Sequence, residues 1–94
     1  MTKADVIAEV SSKTGVDRAT TQVVVESFMN AVKNSLLKKE SVYLRGFGSF
    51  IIKERAQKTG RNISKNTTIV IPAHKVPSFK AAKSFATIVK TKLK

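Results

Sequence analysis

The stretch Val42-Tyr43-Leu44-Arg45-Gly46-Phe47-Gly48-Ser49-Phe50-Ile51-Ile52 decides the reading of this chain, because within it the spacing of apolar residues changes from helical to alternating. Val42 and Leu44 flank Tyr43 on one side of an extended segment, Arg45 to Ser49 supplies a turn, and Phe50-Ile51-Ile52 runs back, which is the pattern of a β-hairpin. Gly46 and Gly48 permit backbone angles closed to other residues and expose N–H groups near a surface. A turn accounts for both, and a phosphate-holding loop is the alternative.

N-terminal to the hairpin the period is helical. Thr2 and Asp5 have the spacing of a capping box, Val6, Ile7 and Val10 follow at helical intervals, and Gly15 supplies a stop. Val16-Asp17 then reads as an apolar residue followed by an N-cap, opening a longer helix that ends near Lys38 or Lys39. One face of it carries Val24, Phe28, Ala31, Val32, Ser35 and Leu36. A second stripe, Val25, Met29, Val32 and Leu36, widens the apolar surface beyond what one short neighbouring helix covers. It reads as a dimer face, with packing under the chain's own sheet as the alternative.

C-terminal to the hairpin, Arg55 to His74 is polar and cationic, with Gly60 and two asparagines near its middle and the β-favouring run Thr67-Thr68-Ile69-Val70-Ile71 on the way back. This predicts a protruding two-stranded arm, roughly nine residues a side and so about 30 Å long at ~3.3 Å per residue. Pro72 and Pro77 bracket the return, Lys75 to Phe79 predicts an edge strand, and Ala81 to Lys94 a last helix carrying Ala82, Phe85, Ile88 and Val89. The expectation is an α+β fold in a single domain over 1–94: a helical base and hairpin over 1–54, an arm over 55–74, and a return strand and C-terminal helix over 75–94. Without the arm the body is short for a self-sufficient core, and with no cysteine to staple it, association is the expected remedy.

Charge is divided as sharply as structure. The net charge is +12, yet all six acids, Asp5, Glu9, Asp17, Glu26, Glu40 and Glu54, precede Arg55, and from Arg55 to Lys94 ten lysines and arginines stand without one acid. A compact chain so charged repels itself, and a dense polyanion relieves that repulsion. With 41% hydrophobic residues the chain is too apolar to be a disordered basic tail. The start Met1-Thr2-Lys3-Ala4-Asp5 carries an acid where a signal peptide runs apolar, and no apolar run approaches the ~20 residues of a membrane span. A soluble, cytoplasmic protein is the expectation.

Nothing suggests catalysis. His74 is the only histidine and lacks the cysteines or clustered carboxylates of a metal site or a triad, so it reads as an arm-base residue able to donate to a phosphate. The acids show no paired spacing, and no Gly-rich phosphate loop occurs. No enzyme activity, cofactor, metal or small-molecule substrate is expected. Ile63 stands apart as the only large apolar residue between Ile52 and Ile69, at the predicted arm tip. It reads either as a β-branched residue favouring a strand or as an apolar wedge that unstacks a base step.

Gly46-Phe47-Gly48-Ser49-Phe50, Lys58-Thr59-Gly60-Arg61-Asn62, Ile71-Pro72-Ala73 and Val76-Pro77-Ser78-Phe79-Lys80 together resemble the HU/IHF family of bacterial, histone-like DNA-binding proteins, nearly end to end. The resemblance implies an HU/IHF-like intertwined dimer with a helical base, an antiparallel β-sheet and two long β-arms that embrace double-stranded DNA through the minor groove. It implies bending and compaction with little sequence preference, and a nucleoid location. HU and IHF are themselves standard examples of minor-groove architectural proteins, so this mechanism comes with the resemblance. Carried across by position, Arg55, Lys58, Arg61 and Asn62 match arm positions that bind DNA. Lys3, Lys80 and Lys83 match phosphate-contacting positions on the body, and Phe47, Phe50 and Phe79 match the aromatic core. Lys53, Lys65 and Lys75 complete the expected basic surface. Ile63 departs from the family's usual proline after the Arg-Asn pair. Isoleucine is bulky enough to insert but lacks proline's fixed φ. Ala81-Ala82 likewise replaces the usual Pro-Gly before the last helix.

The expected partner is therefore double-stranded DNA, including kinked, nicked or otherwise distorted duplex, bound by a homodimer; a pair with a related chain would use the same helix face. A basic RNA-binding or ribosome-associated protein is the competing class. RNA readers usually interleave aromatics with basic residues to stack on unpaired bases, and this chain has none from Lys53 to Ser78. Membrane-surface binding fits less well, because the last helix offers few apolar residues for insertion.

Overall fold

The structure, a computed structural model, describes residues 1–62 and 67–93, with the side chains of residues 61, 62 and 67–69 left aside. Its order is α1 (Lys3–Thr14), α2 (Arg18–Leu37), β1 (Val42–Leu44), β2 (Gly48–Arg55), β3 (Lys58–Asn62), β4 (Thr67–Ile71), β5 (His74–Ala81) and α3 (Lys83–Lys92).

The helix boundaries are written locally. Thr2 caps α1 through a complete capping box, its Oγ1 accepting from the Asp5 N–H at 3.3 Å while the Asp5 carboxylate accepts from the Thr2 N–H at 2.9 Å. Gly15 ends the helix in the left-handed region at φ 76°. The Asp17 carboxylate caps α2 by accepting from the Thr20 N–H at 2.9 Å. These bonds hold the Asp5 and Asp17 carboxyls below the usual carboxylate range, since an ionised acceptor is the stronger one. Between the helices Thr21 is buried, and its hydroxyl donates to the Asp17 carbonyl at 2.9 Å.

Strands β1, β2 and β5 form one antiparallel sheet in that order, with Tyr43 opposite Ser49, Phe50 opposite Phe79 and Arg55 opposite His74. Strands β3 and β4 form a separate two-stranded sheet from Lys58↔Ile71 to Asn62↔Thr67. Ala56-Gln57 on one side and Pro72-Ala73 on the other interrupt pairing between the two ladders.

Gly46 takes the left-handed φ of 80° that the turn requires, whereas Gly48 has no such angle and lies within β2 rather than in the turn. Its value is closeness. A Cβ built there would meet the Phe79 ring at 2.5 Å and the Lys80 carbonyl at 2.6 Å. Phe47 thereby reaches Phe79, with ring centroids 5.0 Å apart, and Phe85 of α3 at 5.9 Å, while Phe50 meets Phe79 at 5.1 Å. Such tilted and offset pairs are the favoured aromatic geometries. α3 begins two residues later than the sequence predicts, because the β2–β5 ladder holds Ala81 opposite Gly48 and leaves Ala82 as an N-cap without a side-chain bond.

The second stripe of α2 follows the alternative reading. Val32 and Leu36 are buried and Val25 and Met29 half-buried, so the stripe expected to be a dimer face is the one that packs within the chain. Val24 and Phe28, on the first stripe, are 61% and 45% exposed. Only Ile7, Val32 and Leu36 are buried apolar residues among those described, and Phe47 and Phe79 remain half open despite their ring contacts. An apolar groove of about 310 Å³ lies open between α2 and the sheet, lined by Lys33, Leu36, Leu37, Ile52 and Pro77. The radius of gyration is 18.7 Å, where a compact globule of this length has about 12 Å. The accessible surface is 7937 Å², where about 5,400 Å² is usual for this mass. One chain buries too little to stand alone.

Candidate nucleic-acid interface

Strand alternation sorts the basic residues. Ile52 and Pro77 face α2 across the groove, so the residues one step away in each strand occupy the opposite face of the sheet. By register that open face carries Tyr43, Ser49 and Lys80 in one cross-strand row, then Ile51 and Ser78, Lys53 and Val76, and Arg55 and His74. No acid lies among them. The sheet's one acid, Glu54, stands on the helix-facing side opposite Lys75.

Lys53, Arg55 and Lys80 thus lie on one exposed surface, and Lys75 is set apart from them on the other face. Lys58, also exposed, opens β3 just past the break. Arg61 and Asn62 continue β3 opposite Thr68 and Thr67. Ile63 and Lys65 lie outside the described residues. Lys83 is the first residue of α3, whose first turn contains no acid. A helix N-terminus with free N–H groups and an adjacent lysine favours an anion.

Lys3 is placed differently. Its ammonium donates to Glu26 Oε2 at 2.9 Å across α1 and α2, and that bond, reinforced by the lysine's charge, holds the Glu26 carboxyl below its ordinary range. The partner lies twenty-three residues away, a separation that no local pattern in the sequence reports. Tyr43 and Ser49 belong to the same open face without having been singled out. The alternation running from Val42 through Leu44 was the signal that places Tyr43 there.

Among the described residues no group of three or more His, Cys, Asp or Glu could hold a metal ion, and no helix is long and apolar enough to cross a membrane. A continuous acid-free sheet face leading into a basic two-stranded ribbon defines a protein built to lie against a polyanion. The chain belongs to the HU family of bacterial DNA-binding proteins: the family model described as "Bacterial DNA-binding protein" matches residues 1–90. The DNA-binding protein HU of Staphylococcus aureus (strain COL) is 40% identical over 90 residues, covering 96% of this chain and all of that protein. The HU protein of Lactococcus lactis subsp. lactis is 43% identical over 88 residues, covering 94% and 97% respectively. Among solved structures, an Anabaena HU–DNA cocrystal structure aligns with a TM-score of 0.88 at 32% identity, covering 95% of this chain and 97% of that one. The family is one of architectural DNA-binding proteins.

Proposed function

We propose that this chain is an architectural protein of the bacterial nucleoid that binds double-stranded DNA as an intertwined homodimer, grips the minor groove with two β-arms and bends the duplex with little sequence preference. The observation that carries the reading is the sheet face opposite α2, where Lys53, Arg55 and Lys80 lie with no acid among them and lead towards Lys58. The cocrystallisation of the Anabaena relative with DNA supports the choice of polyanion. The exposed Val24 and Phe28, the half-open aromatic cluster and the apolar groove beside Leu36 are the surfaces a second copy covers.

In this reading residues 55–74 form the arm, with Arg55, Lys58, Arg61, Asn62 and Lys65 following the backbone of the groove. Lys53, Lys75, Lys80 and Lys83 hold phosphates on the body, and Lys3 joins them when a phosphate competes with Glu26. Ile63 takes the wedge position at the arm tip, where inserting an apolar side chain into a base step exchanges stacking for a bend that brings more duplex to the protein. Kinked or nicked duplex, already partly unstacked, is then the preferred target.

The deciding experiment follows the end-to-end distance of a dye-labelled duplex of ~30 base pairs during titration at two salt concentrations. Shortening that disappears at high salt is expected, with log affinity falling against log salt at a slope near −9 for about ten phosphate contacts. Binding without shortening removes the wedge and the bend. Failure to bind duplex while binding RNA replaces the reading.

A further inference from the structure

The only histidine of the chain sits at the mouth of the arm with one ring nitrogen already committed. His74 Nδ1 lies 3.0 Å from the backbone carbonyl oxygen of Pro72, two residues back in the segment where pairing between the two ladders is broken. A carbonyl oxygen can only accept, so Nδ1 is the donor and carries the proton. In the neutral ring Nε2 is therefore a bare acceptor, which cannot donate to a phosphate oxygen.

On its own face of the sheet the charges beside it are all of one sign. His74 is exposed and directly opposite Arg55, with Lys53 and Val76 in the next row of the same face; Glu54 and Lys75, the adjacent residues along the two strands, occupy the other face. α2 packs against that other face, beside Ile52 and Pro77. If the open face lies on DNA, as proposed above, Nε2 meets an anion while Nδ1 stays bonded to Pro72. Both demands are satisfied together only when the ring takes up a proton and both nitrogens donate.

We propose that His74 is a DNA-contacting residue whose contact is made by the imidazolium, so that duplex binding draws a proton from solvent onto Nε2. Imidazole is the side chain whose charge ordinarily changes between pH 5 and 8, which is the range in which to look for such a linkage. Its sign follows from mass action: a ligand that prefers the protonated ring binds more tightly as pH falls.

Titration calorimetry of the full-length protein with a ~30-base-pair duplex near pH 7, repeated in buffers of different ionisation enthalpy, counts the protons taken up. Uptake of up to one proton per chain is expected. It should be lost in His74→Gln. Affinity of the unaltered protein should weaken by about threefold to tenfold per site from pH 6 to pH 8, whereas His74→Lys, positive at both, should stay level. A residue that merely braced Pro72 would leave proton uptake unchanged on substitution. Binding with uptake that persists in His74→Gln, or with none in the parent, overturns the assignment while leaving the DNA-binding reading intact. No duplex binding at either pH overturns both.

Discussion

The two ladders of this chain share one antiparallel geometry and differ in everything beneath it. The β2–β5 ladder lies over α2 and is clamped by Phe47, Phe50, Phe79 and Phe85, whereas β3 and β4 form their own sheet, with Val70 and Ile71 left 56% and 44% exposed. An isolated pair of strands is marginal in water, because its hydrogen bonds replace bonds to solvent and little apolar area is removed. The body is thus a ladder held by side-chain packing, and in the proposed function the arm is one whose missing face its ligand supplies. Stability and affinity should therefore be separable by residue.

The largest effect that would test this division is Gly48→Ala. The added methyl has no room against the Phe79 ring and the Lys80 carbonyl, and a loss of about 3 kcal/mol in urea-induced unfolding is expected. Gly46→Ala, with open space around it but a left-handed φ, should cost only about 1 kcal/mol. Equal losses at the two positions would mean that the tight contact at Gly48 does not govern the body.

In the arm the ranking reverses. Arg61→Ala should leave the unfolding midpoint unchanged yet lower duplex affinity, reducing the salt slope by about 2 for the two arms of a dimer. A melting shift as large as that of Gly48→Ala would break the division. Ile63→Ala should do less to affinity and more to shape, and duplex shortening measured by energy transfer should shrink while binding persists. Undiminished shortening would remove isoleucine from the wedge position.

The smallest effect concerns acid. Asp5, Asp17 and Glu26 have folded pKa values held below the ordinary range. Their contribution is present at neutral pH and lost as pH falls from about 5 through those lowered values. Thermal melts should therefore weaken modestly between pH 5 and pH 3, less so in Asp17→Asn. All three acids lie in the helices and their caps and none occurs after Glu54, so acid sensitivity belongs to the body.

What the sequence disclosed follows the range of each interaction. Caps at Thr2, Asp17 and Gly15 are legible because donor and acceptor sit within a few residues, and Tyr43 between Val42 and Leu44 declares its strand by alternation. The roles of the α2 stripes were not legible. Val24 and Val25 are equally apolar, and which of them is covered depends on a docking angle that the helix does not encode. The pairing of Lys3 with Glu26 was hidden for the same reason. For the interface, charge counting found the basic residues but could not separate Lys75 from Lys53, because the two are distinguished only by strand register.

The sparse core of the single chain has a consequence for how this protein's stability can be expressed at all. With three apolar side chains buried among the described residues and an open groove beside them, the folded form is a product of association. Its melting temperature is then no constant of the sequence but a function of how much protein is present. Each tenfold dilution removes about 1.4 kcal/mol from the folded dimer, so scarcity itself acts as a denaturant.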